Sequence, residues 1–215
     1  MAFQQPVPFE NKIKHRLSDI KNNKIAVKDW NISIKDTYNL EYLYQLIRQW
    51  GIQNGWAPGN DSDFQELFYV QRDHPTFGKE MRIRWRWNKE PEGGPKKRED
   101  SLFWYQMDLD YHMLGIKDVE INWKGQKIKA QKGEFELDCA VYLVIDAGKK
   151  WEKSIFKPFR DLIVKRILKS KLDFHKKEID TAALKLRDFI FNYMKVTQYY
   201  PVKEGGEFYS KRDMQ

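Results

Sequence analysis

The chain has 215 residues, of which 41% are hydrophobic, 15% aromatic and 33% charged. This aromatic content provides enough apolar area for a sizeable core, which excludes a wholly disordered chain. The formal net charge of +8 is modest for a nucleic-acid-binding protein, and the basic residues are spread along the sequence. The single cysteine, Cys139, excludes an internal disulfide and a cysteine-based zinc cluster, and its apolar surroundings are typical of a buried hydrophobic residue.

Residues 1–36 form an N-terminal extension whose structure is left open. The segment NKIKHRLSDIKNNK has the spacing of a short basic helix, with Ile13, Leu17 and Ile20 on one stripe. The segment KIAVKDWNISIK alternates as a strand does. The extension has no apolar core of signal-peptide length, and the chain has no run of about 18 apolar residues. We therefore expect no membrane span and, by default, a cytoplasmic location.

The segment DTYNLEYLYQLIRQWG predicts the first helix. Its apolar residues recur every three or four positions and so share one face. Thr37 is placed to cap the N-terminus of this helix, and Gly51 to end it. A loop rich in Gly, Asn and Asp follows.

From residue 64 the apolar residues alternate, which predicts a run of strands. Six strands are predicted, with glycine turns at Lys124-Gly125 and Lys132-Gly133: FQELFYVQR, EMRIRWRW, SLFWYQMDLDYHM, KDVEINW, QKIKAQ and EFELDCAVYLVID. Within the last strand, AVYLVI is apolar on both faces, so both sides of the sheet should be covered there.

After Gly148 the spacing becomes helical again and predicts two C-terminal helices, the second over residues 173–195. The expected fold is α+β, an antiparallel meander sheet of about six strands with an N-terminal helix and two C-terminal helices packed on one face. The expected organisation is a single domain over residues 37–197, followed by an extended tail over 198–215.

A row of arginines is the main functional signal, because EMRIRWRW places Arg82, Arg84 and Arg86 on one face of a strand. A hairpin loop centred near Gly94 would bring Arg82 close to Gln106 or Asp108 and the other two arginines closer to the start of the next strand. Three interpretations stay open. The arginines pair with neighbouring acids, or they bind nucleic acid, or they contact a protein partner such as a second copy of the chain. The nucleic-acid interpretation adds Trp104 for base stacking and the basic loop residues Lys96, Lys97 and Arg98.

No catalytic motif, phosphate-binding loop or paired-histidine signature occurs, which favours a non-enzymatic protein without a cofactor. Asp108, Asp110 and His112 alternate along one strand and are the best metal candidate, although a polar sheet face has the same pattern. Glu134, Glu136 and Asp138 share one face of a strand and are interpreted as a solvent-facing acidic row beside the lysines of QKIKAQK.

The run VEINWKGQKIKAQKGEFELDCAVYLVIDAGKKW resembles a group of small archaeal proteins of unassigned function. The order of elements also resembles the START-like, helix-grip arrangement, in which a curved antiparallel sheet surrounds a long C-terminal helix. That resemblance implies an apolar cavity, which Trp85, Trp87, Tyr105 and Tyr111 would line.

Together these patterns predict a binding or assembly protein that acts through a basic sheet face. Its partner would be a protein, itself included, or a nucleic acid. The alternative is a START-like carrier of a small apolar ligand, or an enzyme with an internal cavity.

Overall fold

The computed structural model describes residues 23–60, 63–94, 100–123, 126–148, 150 and 162–199. Several predicted features lie outside these residues: the helix near Ile13, the basic loop 95–99, the turn at Lys124-Gly125, most of the first C-terminal helix, and the tail after residue 199.

The chain falls into two compact units. Unit 1 combines residues 1–29, 88–107 and 140–183, and unit 2 combines residues 30–87, 108–139 and 184–215. The single domain predicted over 37–197 stays a prediction.

The described elements give an α+β protein with a five-stranded antiparallel sheet and two helices. A π-helical turn, Ile163–Ile167, precedes the second helix. In chain order the elements are β1 Lys24–Tyr38, α1 Leu40–Gln53, β2 Glu66–His74, β3 Gly78–Lys89, β4 Phe103–Trp123, β5 Gln126–Ile145 and α2 Lys169–Tyr199. The strand order is β1-β5-β4-β3-β2, so β1 joins the sheet beside the last strand.

The expectation of six strands is wrong, because two predicted breaks do not occur; three helices are not matched either, since most of the first predicted C-terminal helix lies outside the described residues. The segment KDVEINW continues β4, and the last two predicted strands are one strand, β5. Gly133 lies inside β5, where a Cβ atom would come within 2.5 Å of the Ile116 side chain. This glycine therefore permits a close cross-strand approach and does not form a turn.

The alternation correctly predicted one buried face in each of β3, β4 and β5. In β3, Ile83, Trp85 and Trp87 are buried and Met81 is half-buried. The odd-numbered residues of β4 from Phe103 to Met113, and those of β5 from Phe135 to Ile145, are also buried. In β5 the residues from Ala140 to Ile145 are buried on both faces, as the sequence predicted.

Helix α1 buries the predicted face through Leu43, Ile47 and Trp50, but both of its predicted ends are wrong. Thr37 still belongs to β1, and Asn39 caps the helix by accepting a hydrogen bond from the Tyr42 N–H at 3.0 Å. Gly51 lies within the helix and faces Trp87, so it allows close packing and does not end the helix.

Helix α2 has 31 residues. Its buried residues recur mostly at spacings of three, four and seven, as in a helix with one apolar face: Leu172, Ile179, Ala183, Leu186, Ile190 and Met194. Among the described helices, none has both the length and the apolar character needed to cross a bilayer.

Candidate partner-binding surface

The arginine row of β3 is matched by acids within unit 2. Arg86 donates from Nε and Nη2 to the two carboxylate oxygens of Asp108, at 2.8 and 3.0 Å. Arg84 makes the same two-bond contact with Asp110, where Nη2 lies 2.9 Å from Oδ2. The predicted hairpin register was therefore wrong, since each acid lies further along β4 than the loop position implied.

Arg82 belongs to a second group of charges. Its Nε donates to Glu80 Oε1 at 3.0 Å on the same strand. Partial burial acts to raise the pKa of Glu80, but the hydrogen bond and charge of Arg82, together with His112, hold that pKa below its ordinary value. Glu80 is thus a carboxylate at neutral pH.

Burial has the larger influence on the acid beside Arg84. The Asp110 side chain is 5% exposed, and desolvation raises the pKa of its carboxyl despite the opposing guanidinium. A buried carboxylate in a two-bond contact holds its arginine in one geometry. Two of the Arg84 N–H groups, on Nε and Nη2, are thereby committed to Asp110.

The metal candidate does not assemble as a ligand set. Asp108 and Asp110 accept hydrogen bonds from arginines, and His112 lies between Glu136, 3.3 Å from Nδ1, and Glu80, 3.5 Å from Nε2. Within the described ranges, no group of three or more His, Cys, Asp or Glu side chains is placed to hold a metal ion.

Of the other predicted contact residues, one is buried and three are not described by the structure. Trp104 is 9% exposed, so its ring is covered. Lys96, Lys97 and Arg98 lie outside the described residues. Among the described residues, the arginine face brings cations together with acids that pair with them.

The residues predicted to line a cavity are all buried. In unit 2 the Trp85 ring centroid lies 4.8 Å from that of Tyr111 and 5.7 Å from that of Trp87, so these rings pack on one another. Trp85 Nε1 donates to Glu66 at 2.9 Å. Tyr38 Oη, Tyr111 Oη and Trp87 Nε1 are buried and have no hydrogen-bond partner in the described part of the chain.

In unit 1, Tyr105 forms a hydrogen-bonded cluster with two residues of α2. Its hydroxyl lies 2.6 Å from Glu178 Oε2 and 2.6 Å from His175 Nδ1. The single hydroxyl hydrogen is donated to the carboxylate, so His175 must carry its proton on Nδ1 and donate it to the tyrosine oxygen. Desolvation lowers the pKa of His175, although the charge of Glu178 opposes this.

A groove of about 470 Å³ lies within unit 2 beside α1. Apolar side chains on its wall include Met81, Ile83 and Ile116. Lys79 and Asp118, which form an ion pair at 3.0 Å, also line it. The Gln131 side chain contacts Asp118 and accepts a hydrogen bond from the Leu40 N–H, which joins this wall to the first turn of α1.

Strand β2, at the edge of the sheet, is the feature that sequence reasoning missed. Three consecutive large apolar side chains are half exposed, with Leu67 at 52%, Phe68 at 49% and Tyr69 at 50%, and Phe77 in the following turn is 74% exposed. The strand pairs with β3 on one side and ends the strand order on the other. The sequence signal was present, since FQELFYV carries apolar residues on both faces, but only the folded structure shows that β2 is an edge strand with exposed side chains on both faces.

Edge strands in monomeric proteins are usually short, or protected by lysine, proline or a bulge. β2 runs for 9 residues without lysine or proline; its irregularity and its charged residues Glu66, Arg72 and Asp73 lie toward the two ends, so residues 67–71 between them carry no charge. An edge of this kind, with exposed apolar side chains and no further strand beside it among the described residues, is typical of sites that accept another strand.

Comparison with known proteins adds no relative, because no family model and no curated protein matches this sequence. The evidence for a binding surface on β2 therefore comes from its geometry alone.

Proposed function

We propose that this chain is a non-enzymatic binding or assembly protein whose partner is a polypeptide. The observation that supports this proposal is the exposed apolar edge strand β2, with Leu67, Phe68 and Tyr69 half exposed. Burying such side chains against a partner removes apolar area from water, and the strand edge adds backbone hydrogen bonds.

The arginine face has a supporting role in this proposal. Phe68 pairs across the ladder with Arg84, and Val70 with Arg82, so the apolar residues of β2 continue directly into the arginine row. Apolar side chains bordered by ion-paired arginines resemble a protein interface more than a nucleic-acid surface. A nucleic-acid partner is less favoured than a polypeptide, because Asp108 and Asp110 already neutralise two of the arginines.

A photo-crosslinking experiment tests the proposal. Benzoylphenylalanine is placed at Phe68, and in a matched control at Phe174, which is 64% exposed on α2. We expect polypeptide adducts, in the purified protein or in extract of its source cells, at position 68 and not at position 174. Equal labelling at both positions, or adducts at neither, would contradict a β2 binding surface.

A second candidate is a carrier of a small apolar ligand on a START-like framework. The order β1-β5-β4-β3-β2 with one long C-terminal helix supports it. So do the buried Tyr38 and Tyr111 hydroxyls and the Trp87 indole N–H, which a bound molecule with polar groups could satisfy. Native mass spectrometry would favour this candidate by detecting a co-purified small molecule, and a protein of its bare mass in every preparation would count against it.

A further inference from the structure

The residue pattern of β2 indicates which polypeptide could pair with it. We infer that β2 pairs antiparallel with β2 of a second copy of this chain, with Val70 opposite Val70. This inference rests on the proposed function, because it names the polypeptide that occupies the same edge. The resulting dimer would have a twofold axis through Val70 and one continuous sheet across the two copies.

The symmetry limits which registers are allowed. A twofold axis perpendicular to the sheet keeps each face on its own side, so a residue can oppose only residues of its own face. On β2, Phe68, Val70 and Arg72 lie on the arginine face, because they pair with Arg84, Arg82 and Glu80 of β3. Tyr69 and Gln71 lie on the other face, beside Ile83 and Met81. A permitted register is therefore centred on a single residue.

The irregularity between Glu66 and Phe68 selects among the permitted registers. A centre at Tyr69 brings Leu67 and the irregular part of the strand into the pairing. A centre at Gln71 places no apolar residue opposite another. A centre at Val70 confines the main pairing to residues 68–72 of each copy, which lie in the regular part of the ladder.

The Val70 register is also chemically complementary. It places each Phe68 opposite Arg72 of the other copy, where a guanidinium can lie over the ring. It places each Tyr69 opposite Gln71, a hydroxyl opposite an amide, and Val70 opposite itself, while Leu67 falls opposite Asp73 outside the main pairing. The two Arg72 side chains, which would repel each other if opposed, are kept apart.

A charge-complementation experiment tests this pairing. In V70K or V70E alone, two like charges would face each other across the axis, and mixing the two variants would place opposite charges there. By light scattering at low ionic strength we expect a two-chain mass for wild type, a single-chain mass for each variant, and a two-chain mass for the mixture. I128K is the matched control, since Ile128 is a β-branched residue 39% exposed on β5, and it should keep the wild-type mass.

Using both variants also excludes misfolding as the cause of a lost dimer. Val70 lies beside Arg82, so a glutamate there gains an attractive neighbour and a lysine a repulsive one. Loss of the dimer in both variants, with recovery on mixing, therefore cannot come from contacts within one chain.

Two results would overturn the inference. If wild type is a dimer and V70K and V70E keep its mass, the copies associate through another surface. If wild type has a single-chain mass at every concentration, β2 does not self-pair. In either case the crosslinking comparison of positions 68 and 174 decides separately whether the proposed binding function survives.

Discussion

At the scale of single residues, the Arg84–Asp110 pair shows why an arginine row does not by itself indicate a binding site. The Asp110 side chain is 5% exposed and Arg84 is 30% exposed, so the pair is partly withdrawn from water. Removing one partner of such a pair leaves the other charge uncompensated.

Asp110→Asn should therefore lower the free energy of unfolding by about 1–3 kcal/mol, because Arg84 loses its carboxylate partner. The matched control is Glu120→Gln, which removes a carboxylate from an ion pair with side chains 63% and 80% exposed. That change should cost at most about 1 kcal/mol. Urea unfolding of the two variants measures the difference, and equal losses would show that the buried pair has no special role.

His175 gives a prediction for pH dependence. Its pKa in the folded protein lies below the ordinary value of 6.5, chiefly through desolvation, and the groups around it are Tyr105, Glu178 and Lys171. His175 therefore binds a proton more readily in the unfolded chain than in the folded protein. The stability contributed by neutral His175 is fully present above pH 6.5 and is lost as the pH falls through the lower pKa of the folded state.

We expect the melting temperature to fall on acidification below pH 6.5, and to fall less steeply in His175→Gln, since the variant lacks the titrating group. An NMR titration that places the His175 pKa at or above 6.5 would contradict this assignment.

At the scale of elements, Gly51 explains how α1 packs closely on β3. A Cβ atom at this position would lie 2.7 Å from the Trp87 ring, which is buried. Alanine normally stabilises a helix relative to glycine by about 1 kcal/mol. Here the ring must move, and overpacking of a core costs about 1–3 kcal/mol.

Gly51→Ala should therefore lower the melting temperature, although alanine is intrinsically the better helix-forming residue. Gly59→Ala is the control, because nothing lies within 4 Å of its added Cβ atom. A stabilised Gly51→Ala variant would show that α1 and Trp87 are further apart than described.

The elements also show which features a sequence can predict. Alternation identified the buried faces of β3, β4 and β5, because burial depends on local side-chain direction. It could not distinguish a glycine that turns the chain from one that admits a neighbour, since Gly133 faces Ile116 only after folding. The exposure of β2 was equally hidden, because strand order is a non-local property.

At the scale of the whole molecule, the net charge of +8 is not concentrated on the described part of the arginine face. The described β3 arginines are paired with Glu80, Asp108 and Asp110, so the face is balanced in charge. Association through such a surface depends on shape and apolar contact more than on long-range attraction.

Replacing Arg82, Arg84 and Arg86 together with Ser tests this balance. We expect a clear loss of melting temperature and little change in retention on heparin, because the arginines serve the fold through their acids. A large loss of heparin retention at an unchanged melting temperature would instead identify the row as a polyanion site.

The central claim, that β2 is a binding edge occupied by a second copy, is tested most directly by amide hydrogen exchange at low and high protein concentration. Pairing would protect the outward-facing amides of residues 68–72 as concentration rises, while amides of β5 stay unchanged. Exchange of the β2 amides that is fast and independent of concentration would contradict the claim.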